Sequence, residues 1–377
     1  MSDFRSLLSS FQAATGAPSK NQNKTSNISE SIADLWRQSQ LQKSFASSSS
    51  RQLSTNEKQD IIKRPIHIAI CAVVVSTLPH EPIWRSWLEN KKHSSASMYI
   101  HAKTPSAIQN NSWLKSKLIP ISHNPNWNDV RVVAAMLSLI EYALKNEKTT
   151  HIMFVTESCI PITTLDELAT FLRIDGSYTS TGGDLFCSFL DAYSRDSPRC
   201  TRFDEHSCFQ IKNIPSDAIY KALPGWCLLS KKHAKQILDL PKSIGDKNLY
   251  PLFEKVWAPE EVFFPTALSL VGVLPGKEVI GKSIMWAKWD ERARGQERSH
   301  PIVYDGKFSR TLVLNARERG CFFMRKFKRA IDVRDWEMIV SAQNDLTQDL
   351  CRNEKRSRDD DAGDKSPSSG TKQSRTR

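Results

Sequence analysis

Two adjacent carboxyl groups, Glu260 and Glu261, follow Pro259 in a segment rich in aromatic residues. A carboxylate beside Trp257 and Phe263 can be partly desolvated, and a desolvated carboxylate can act as a general base towards an acceptor hydroxyl. The same pattern suits the start of a helix, because proline fits the first helical position and acidic side chains favour the positive end of the helix dipole. From the residues alone a helix start is the favoured interpretation, and a general base is the alternative.

Cations and aromatic residues are concentrated further along the chain. Arg325, Lys326 and two further cations follow a short apolar run, a pattern that fits a solvated basic face, a nucleic-acid-binding surface or a diphosphate clamp. No RNA- or DNA-binding motif accompanies them. An aromatic and basic cluster from Trp286 through Trp289 to His300 could stack on sugars or bases and contact phosphates, although each tryptophan is interpreted as core by default.

Several standard motifs are missing from the sequence. It has no Walker loop, G-x-G-x-x-G, H-E-x-x-H or G-x-S-x-G. It also lacks an Asp-x-Asp of the kind that holds a divalent ion beneath a nucleotide diphosphate, since 359–361 lies in a charged terminal stretch. A bound diphosphate would therefore have to be neutralised by lysine and arginine. The eight cysteines include no C-x-x-C pair and are interpreted as small buried thiols, with Cys200 and Cys208 the one pair to check for a disulfide.

The elements that must position these groups alternate between strands and helices. Strands are predicted at 66–75, 97–101, 151–155, 184–190 and 226–230, and helices at 81–90, 129–146, 231–240 and 259–270. Asn128 is the predicted cap of the second helix, and Thr164 with Glu167 forms a capping box. This alternation predicts an α/β fold with a largely parallel sheet, whose ligands lie at the carboxyl ends of the strands. The polar residues there are Ser76, Thr77, His101, Lys103, Thr156, Glu157 and Ser158.

The chain has 377 residues, 39% of them hydrophobic, and a net charge of +12. Residues 65–335 form the predicted domain, 1–64 a disordered tail, and 336–377 a short helix and a disordered charged tail. The amphipathic stretch 28–41 is either a weak helix within that first tail, the favoured interpretation, or a segment that docks. No run of eighteen apolar residues and no secretory signal is visible, so a soluble protein is expected.

Six sequence blocks occur in the order found in the Core-2/I-branching glycosyltransferases, and the chain resembles the branch of that family first noted in plants. The blocks are Ile68 to Trp87 with 98–101, Phe154 to Pro161, Gly225 to Ala234, Pro259 to Thr266, Trp289 to Pro301, and Phe323 to Phe327. Any one block is weakly specific, whereas six in order are fairly specific.

The resemblance implies a GT-A-like, Rossmann-type nucleotide-sugar domain and an inverting glycosyltransferase that uses neither a metal nor another cofactor. The donor would be a UDP-sugar, UDP-GlcNAc by family habit, and the acceptor a hydroxyl of a glycan or glycoprotein. Glu261 would be the catalytic base, which reverses the preference for a simple helix start. Lys326 would contact the diphosphate together with Arg310 or Arg317, and Trp289 would lie near the sugar. The donor would bind over the strand ends that carry Ser76, Thr77, Lys103, Glu157 and Ser158.

Two features depart from the family pattern. Lys103 stands where animal members have an acidic residue near the uridine, which leaves the donor open. The family is usually anchored in the Golgi membrane by an N-terminal helix, whereas no anchor is visible in 1–64. Two alternatives follow: a soluble, cytoplasmic protein, or a sequence that lacks its true start. Two other functions stay open: a catalytically silent protein of the same fold that binds nucleotide sugars, and a basic nucleic-acid-binding protein, although no nucleic-acid partner is expected.

Overall fold

In the computed structural model of the chain, the described residues are 28, 30–38, 65–89, 94–174, 176–180, 183–197, 211, 213–222, 226–245, 247–290, 292, 300–305 and 308–340. The predicted disordered tails lie outside these ranges, except for a helix at 30–38 and the last residues of a helix at 333–340. Cys200 and Cys208, the pair to check for a disulfide, also lie outside the described residues.

The strands and helices of the described residues alternate along the chain. The strands are β1 (His67–Val74), β2 (Ser95–Ala102), β3 (His151–Thr156), β4 (Ile160–Pro161), β5 (Ser177–Ser180), β6 (Gly183–Phe186), β7 (Ser188–Phe189), β8 (Ala192–Ser194), β9 (Tyr220–Ala222), β10 (Leu228–Ser230), β11 (Val279–Ile280), β12 (Met285–Trp286) and β13 (Phe323–Met324). The helices are α1 (30–38), α2 (Glu81–Glu89), α3 (Trp113–Ser116), α4 (Arg131–Leu144), α5 (Leu165–Ile174), α6 (Lys231–Ser243), α7 (Pro259–Leu270), α8 (Arg310–Glu318) and α9 (333–340).

A six-stranded sheet in the order β11-β7-β10-β3-β1-β2 forms the centre of the fold. Strand β1 pairs in parallel with β2 and β3, and β11 pairs in parallel with β7, whereas β10 runs antiparallel to both of its neighbours. A second sheet has the order β12-β13-β4. The predicted α/β fold with a largely parallel sheet is confirmed, and it is consistent with a GT-A-like domain.

Strand β1 forms where the sequence is continuously apolar and β-branched. Ile68, Ile70 and Cys71 are completely buried, as expected for a central strand of a parallel sheet that is covered on both faces. Cys71 lies opposite Tyr99 of β2 and Phe154 of β3. The five cysteines in the described ranges are free and buried, as predicted.

Of the two helix caps predicted from the sequence, one is confirmed and the other is wrong. The capping box before α5 is confirmed, because the Glu167 carboxylate accepts the Thr164 N–H at 2.7 Å and the Thr164 hydroxyl accepts the Glu167 N–H at 3.2 Å. The predicted cap Asn128 is wrong: helix α4 begins at Arg131, whose N–H donates to Asp129 at 2.9 Å. Asn128 adopts a left-handed φ of 60° and makes a different contact, described below.

Helix α1 docks on the domain, contrary to the favoured interpretation of a weak helix in a tail. Ile32 is completely buried and Trp36 is 8% exposed. The Trp36 indole N–H donates to the Asp217 carboxylate at 3.0 Å. The amphipathic pattern in 28–41 therefore reflects the packing of this helix against the domain. None of the helices in the described ranges is long and apolar enough to cross a membrane.

Candidate active site

A cleft of about 520 Å³ opens at one edge of the central sheet. Its floor includes Val73 to Val75 at the end of β1 and Thr156 to Ser158 at the end of β3, and the first turn of α7 forms one wall. The carboxyl ends of parallel strands are where α/β sheets bind their ligands, and the volume is within the usual range for a small-molecule site.

Most of the residues predicted from the sequence lie in this cleft. Its lining includes Lys103, Glu157, Ser158, Glu261, Trp289 and Lys326. Ser76 is half-buried and Thr77 is exposed, and both follow Val75 beyond the lining. The sheet brings the strand ends together as predicted, but the lining that follows β1 ends at Val75 and includes neither Ser76 nor Thr77.

Helix α7 directs its two carboxyl groups into the cleft. Ala258 precedes the helix with a left-handed φ of 49°, and its N–H donates to the Asn128 side-chain oxygen at 2.5 Å. The Glu261 N–H in turn donates to the Ala258 carbonyl at 2.9 Å. Glu260 and Glu261 are therefore both helix-start acids and cleft residues, so the two interpretations of this segment are compatible.

Lys221 of β9 forms an ion pair with Glu261. Its Nζ lies 3.4 Å from Glu261 Oε2, and the side chain of Lys221 is only 3% exposed against 18% for Glu261. Burial raises the pKa of Glu261, and the Lys221 ammonium opposes that rise. Sequence analysis missed Lys221, because it belongs to a three-residue strand without any motif. An isolated lysine between apolar residues was the one available signal.

The second wall of the cleft is cationic. The Arg325 N–H donates to the Trp286 carbonyl at 2.9 Å, and the Phe327 N–H donates to the Ser158 carbonyl at 3.0 Å. Phe327 is completely buried, so this backbone is held firmly on either side of Lys326. Arg325 and Lys326 line the cleft, while the two cations at 328 and 329 are exposed. Of the three interpretations of this segment, the clamp with one or two inward cations fits best.

Burial shifts the titration of the groups on this wall. The pKa of Lys326 is lowered by burial and then by the neighbouring positive charge of Arg325 and Lys328. The pKa of Glu157 is raised by burial, against the opposing effect of Arg325 and Lys326. The Arg325 guanidinium also lies 5.4 Å from the centre of the Trp226 ring. An anion in this part of the cleft would therefore meet two partly desolvated cations.

The two arginines expected to assist Lys326 lie elsewhere. Arg310 is exposed at the first position of α8, and Arg317 forms an ion pair with Glu167 of the capping box. Neither lines the cleft. Arg325, which directly precedes Lys326 in sequence, is the second cation that the structure brings to this wall.

Aromatic side chains surround the mouth of the cleft. Trp127 is 61% exposed, and its ring centre lies 4.9 Å from that of Trp257 and 5.3 Å from that of His300. Trp289 also lines the cleft, and its backbone pairs with Pro301. The prediction that each tryptophan belongs to the core is therefore wrong for Trp127. Exposed aromatic faces beside polar groups suit a ligand that is partly apolar, such as a sugar ring.

The end of β2 supplies a further polar group. The Lys103 ammonium lies in the cleft lining and donates to the Asn126 side-chain oxygen at 2.6 Å. Across the described residues, no three or more His, Cys, Asp and Glu side chains converge in a way that could hold a metal ion.

The mostly parallel sheet and the cleft at its carboxyl edge define an α/β protein with a cleft of small-molecule size, consistent with a GT-A-like domain. The sequence model of the Core-2/I-branching enzyme family matches residues 68–312, and the chain belongs to this family of glycosyltransferases. Glycosyltransferase BC10 of Oryza sativa subsp. japonica is 20% identical over an alignment of 333 residues, and the match covers 74% of this chain and 77% of the rice protein. The family resemblance found in the sequence is thus confirmed, and the rice relative supports the plant-type branch.

Proposed function

We propose that the protein is an inverting glycosyltransferase that transfers a sugar from a UDP-sugar to a hydroxyl of a glycan or glycoprotein, without a metal ion. The observation that carries the proposal is that Glu261 lines the same cleft as Arg325 and Lys326, in a chain of the Core-2/I-branching family. A base on one wall and cations on another are the two groups that such a displacement requires.

Glu261 takes the proton of the acceptor hydroxyl while the oxygen attacks the anomeric carbon. The new bond joins the acceptor oxygen to this carbon, and the bond from the carbon to the β-phosphate oxygen breaks. The electron pair leaves with UDP. Lys326 and Arg325 stabilise the negative charge that develops on the leaving diphosphate, in the manner of preorganised electrostatic catalysis.

GlcNAc is the proposed sugar, and the family resemblance supports it. Arg325 and Lys326 supply positive charge where other enzymes use a divalent ion, which supports a metal-independent reaction. Trp127 and Trp289 both line the cleft, which supports contact of their rings with a sugar. The uridine would lie towards the strand ends that carry Lys103 and Glu157.

Calorimetry and turnover of the purified full chain test the proposal. We expect UDP and UDP-GlcNAc to bind, and UDP release to continue in EDTA. Glu261→Gln should lower turnover by about 100-fold or more while UDP affinity is kept, since positioned general bases contribute roughly 10²–10⁴-fold. Glu254→Gln, an exposed residue shortly before α7, is the matched control.

Three outcomes would contradict parts of the proposal. Loss of all turnover in EDTA would refute a metal-free reaction, and full turnover by Glu261→Gln would refute the assigned base. Binding of UDP-sugars without transfer or donor hydrolysis would instead indicate the catalytically silent alternative. A panel of other nucleotide sugars identifies the donor if UDP-GlcNAc is not bound.

A further inference from the structure

Glu260 also lines the cleft, but the proposed sugar transfer assigns no role to it. It lines the cleft beside Glu261, and its Oε2 atom is buried without a hydrogen-bond partner among the described residues. Buried polar atoms are normally hydrogen-bonded, and one without a partner destabilises the folded state. Glu260 lines the cleft while this oxygen is buried, so a ligand that enters the cleft can supply the partner that the oxygen lacks.

The opposite wall has a matching feature. The Nε atom of Arg325 is also buried without a hydrogen-bond partner in the described part of the chain, and Arg325 lines the same cleft. One wall therefore carries the Glu260 carboxyl group and the other the Arg325 Nε–H, and neither of these two atoms, Glu260 Oε2 and Arg325 Nε, has a hydrogen-bond partner among the described residues. Sugar hydroxyls can accept from either group and donate to the carboxyl oxygen.

The two adjacent carboxyl groups have different surroundings. Lys221 pairs with Glu261, and the charged groups that act on Glu260 are Glu261 on its own helix, Lys221 on β9 and Arg325 after β13. Two neighbouring carboxylates repel each other, so the one without a close cation is the easier to protonate. Environments that separate two such groups assign them different roles.

We infer that Glu260 is a substrate-binding residue whose neutral carboxyl donates a hydrogen bond to a hydroxyl oxygen of a sugar in the cleft, beside Arg325, while ionised Glu261 serves as the base. This inference rests on the proposed function and deepens it, because it names a group that recognises the sugar. The sugar belongs either to the donor or to the acceptor, and both present the same hydroxyl chemistry.

Titration supports the division of roles. Burial, and then the negative charge of Glu261, raise the pKa of Glu260 to about 7. The carboxyl is therefore largely protonated at pH 6 and largely ionised at pH 8. Above pH 7 it loses its proton and cannot donate, so sugar binding should weaken as the pH rises.

Three variants separate this role from a structural one. In Glu260→Gln the amide N–H donates at every pH, so we expect sugar affinity close to that of the parent at pH 6 and no weakening at pH 8.5. In Glu260→Ala the donor is lost, so affinity at pH 6 should be about 3- to 10-fold below that of the parent, as expected for one hydrogen bond. At pH 8.5, where the ionised carboxylate of the parent cannot donate either, the two affinities should be similar. Glu254→Gln is the control, and thermal melts show whether each variant folds.

Calorimetry with UDP and UDP-GlcNAc distinguishes the two sources of the sugar. If UDP-GlcNAc affinity falls in Glu260→Ala while UDP affinity is unchanged, the donor sugar is the partner. If both affinities are unchanged and KM for nitrophenyl glycoside acceptors rises, the acceptor sugar is the partner. Each result supports the inference.

The inference is overturned if Glu260→Gln weakens binding as much as Glu260→Ala at every pH, or if neither variant alters any affinity or KM. If Glu260→Ala does not fold, the pH dependence of Glu260→Gln against the parent still decides the matter. A parent protein that binds no nucleotide sugar would instead refute the proposed function, so the two failures are distinguishable.

Discussion

Lys221 and Glu261, forty residues apart in sequence, meet at 3.4 Å in the wall of the cleft. Lys221 belongs to the short strand β9, and Glu261 to the first turn of α7. A general base must be ionised to accept a proton, while burial favours its neutral form. The Lys221 ammonium opposes that effect, so it is a positioning and charge-stabilising residue for the proposed base.

Replacement of Lys221 by Met should shift the pH dependence of turnover. Because Lys221 lowers the pKa of Glu261 against the effect of burial, its loss raises that pKa further. Glu261 is then protonated up to a higher pH, so the acidic limb of the turnover profile should lie at higher pH than in the parent. The measurement is kcat as a function of pH.

Lys221→Arg provides the control for this variant, because it keeps the positive charge and should keep most of the parent profile. A Lys221→Met protein whose acidic limb coincides with that of the parent would show that Lys221 does not act on the base.

Removal of either cleft cation should weaken diphosphate binding. Lys326→Ala and Arg325→Ala should each reduce UDP affinity by about 10- to 100-fold, since a hydrogen bond to a charged group contributes roughly 1.5–3 kcal/mol. Arg310→Ala should leave the affinity unchanged, because Arg310 is exposed on α8 outside the cleft. Calorimetric titration with UDP measures all three. A larger loss in Arg310→Ala than in Arg325→Ala would contradict this assignment.

Loss of the docked indole should destabilise the domain. Trp36→Ala removes a buried ring and its hydrogen bond to Asp217, and should lower the free energy of unfolding by about 3 kcal/mol. Urea denaturation followed by circular dichroism measures the change. Arg37→Ala, at an exposed position on the same helix, is the matched control and should be nearly neutral. Equal stability of the two variants would show that α1 contributes little to folding.

The Glu278 carboxylate should make the free energy of unfolding depend on pH in the acidic range. It lies 3.1 Å from His233 Nε2 and 2.7 Å from Lys232 Nζ, and these partners lower its pKa from 4.5 to about 2. A lowered pKa stabilises the folded state above pH 4.5, and that contribution disappears as the pH falls towards 2.

Glu278→Gln should therefore lose about 1–2 kcal/mol at pH 7, a value reduced for the partial exposure of the group. It should also flatten the dependence of unfolding free energy on pH between 4.5 and 2. The same slope in the variant and the parent would assign the acid sensitivity to other groups.

The sequence was sufficient to determine the alternation of strands and helices, the buried central strand β1, the capping box at Thr164 and the edge of the sheet at which the cleft lies. These features depend on residues that are close in sequence, where side-chain spacing and backbone preference act directly. The ordered blocks also identified Glu261 and Lys326, whose roles stay proposals.

Tertiary structure alone decided which distant groups meet. It placed Lys221 against Glu261, brought Arg325 to the cleft while Arg310 and Arg317 lie elsewhere, and bonded Asn128 to the residue before α7. It also docked α1 through Trp36. Such contacts depend on the order of strands in the sheet and on how the helices pack across it. The local spacing of residues along the chain predicts neither of these.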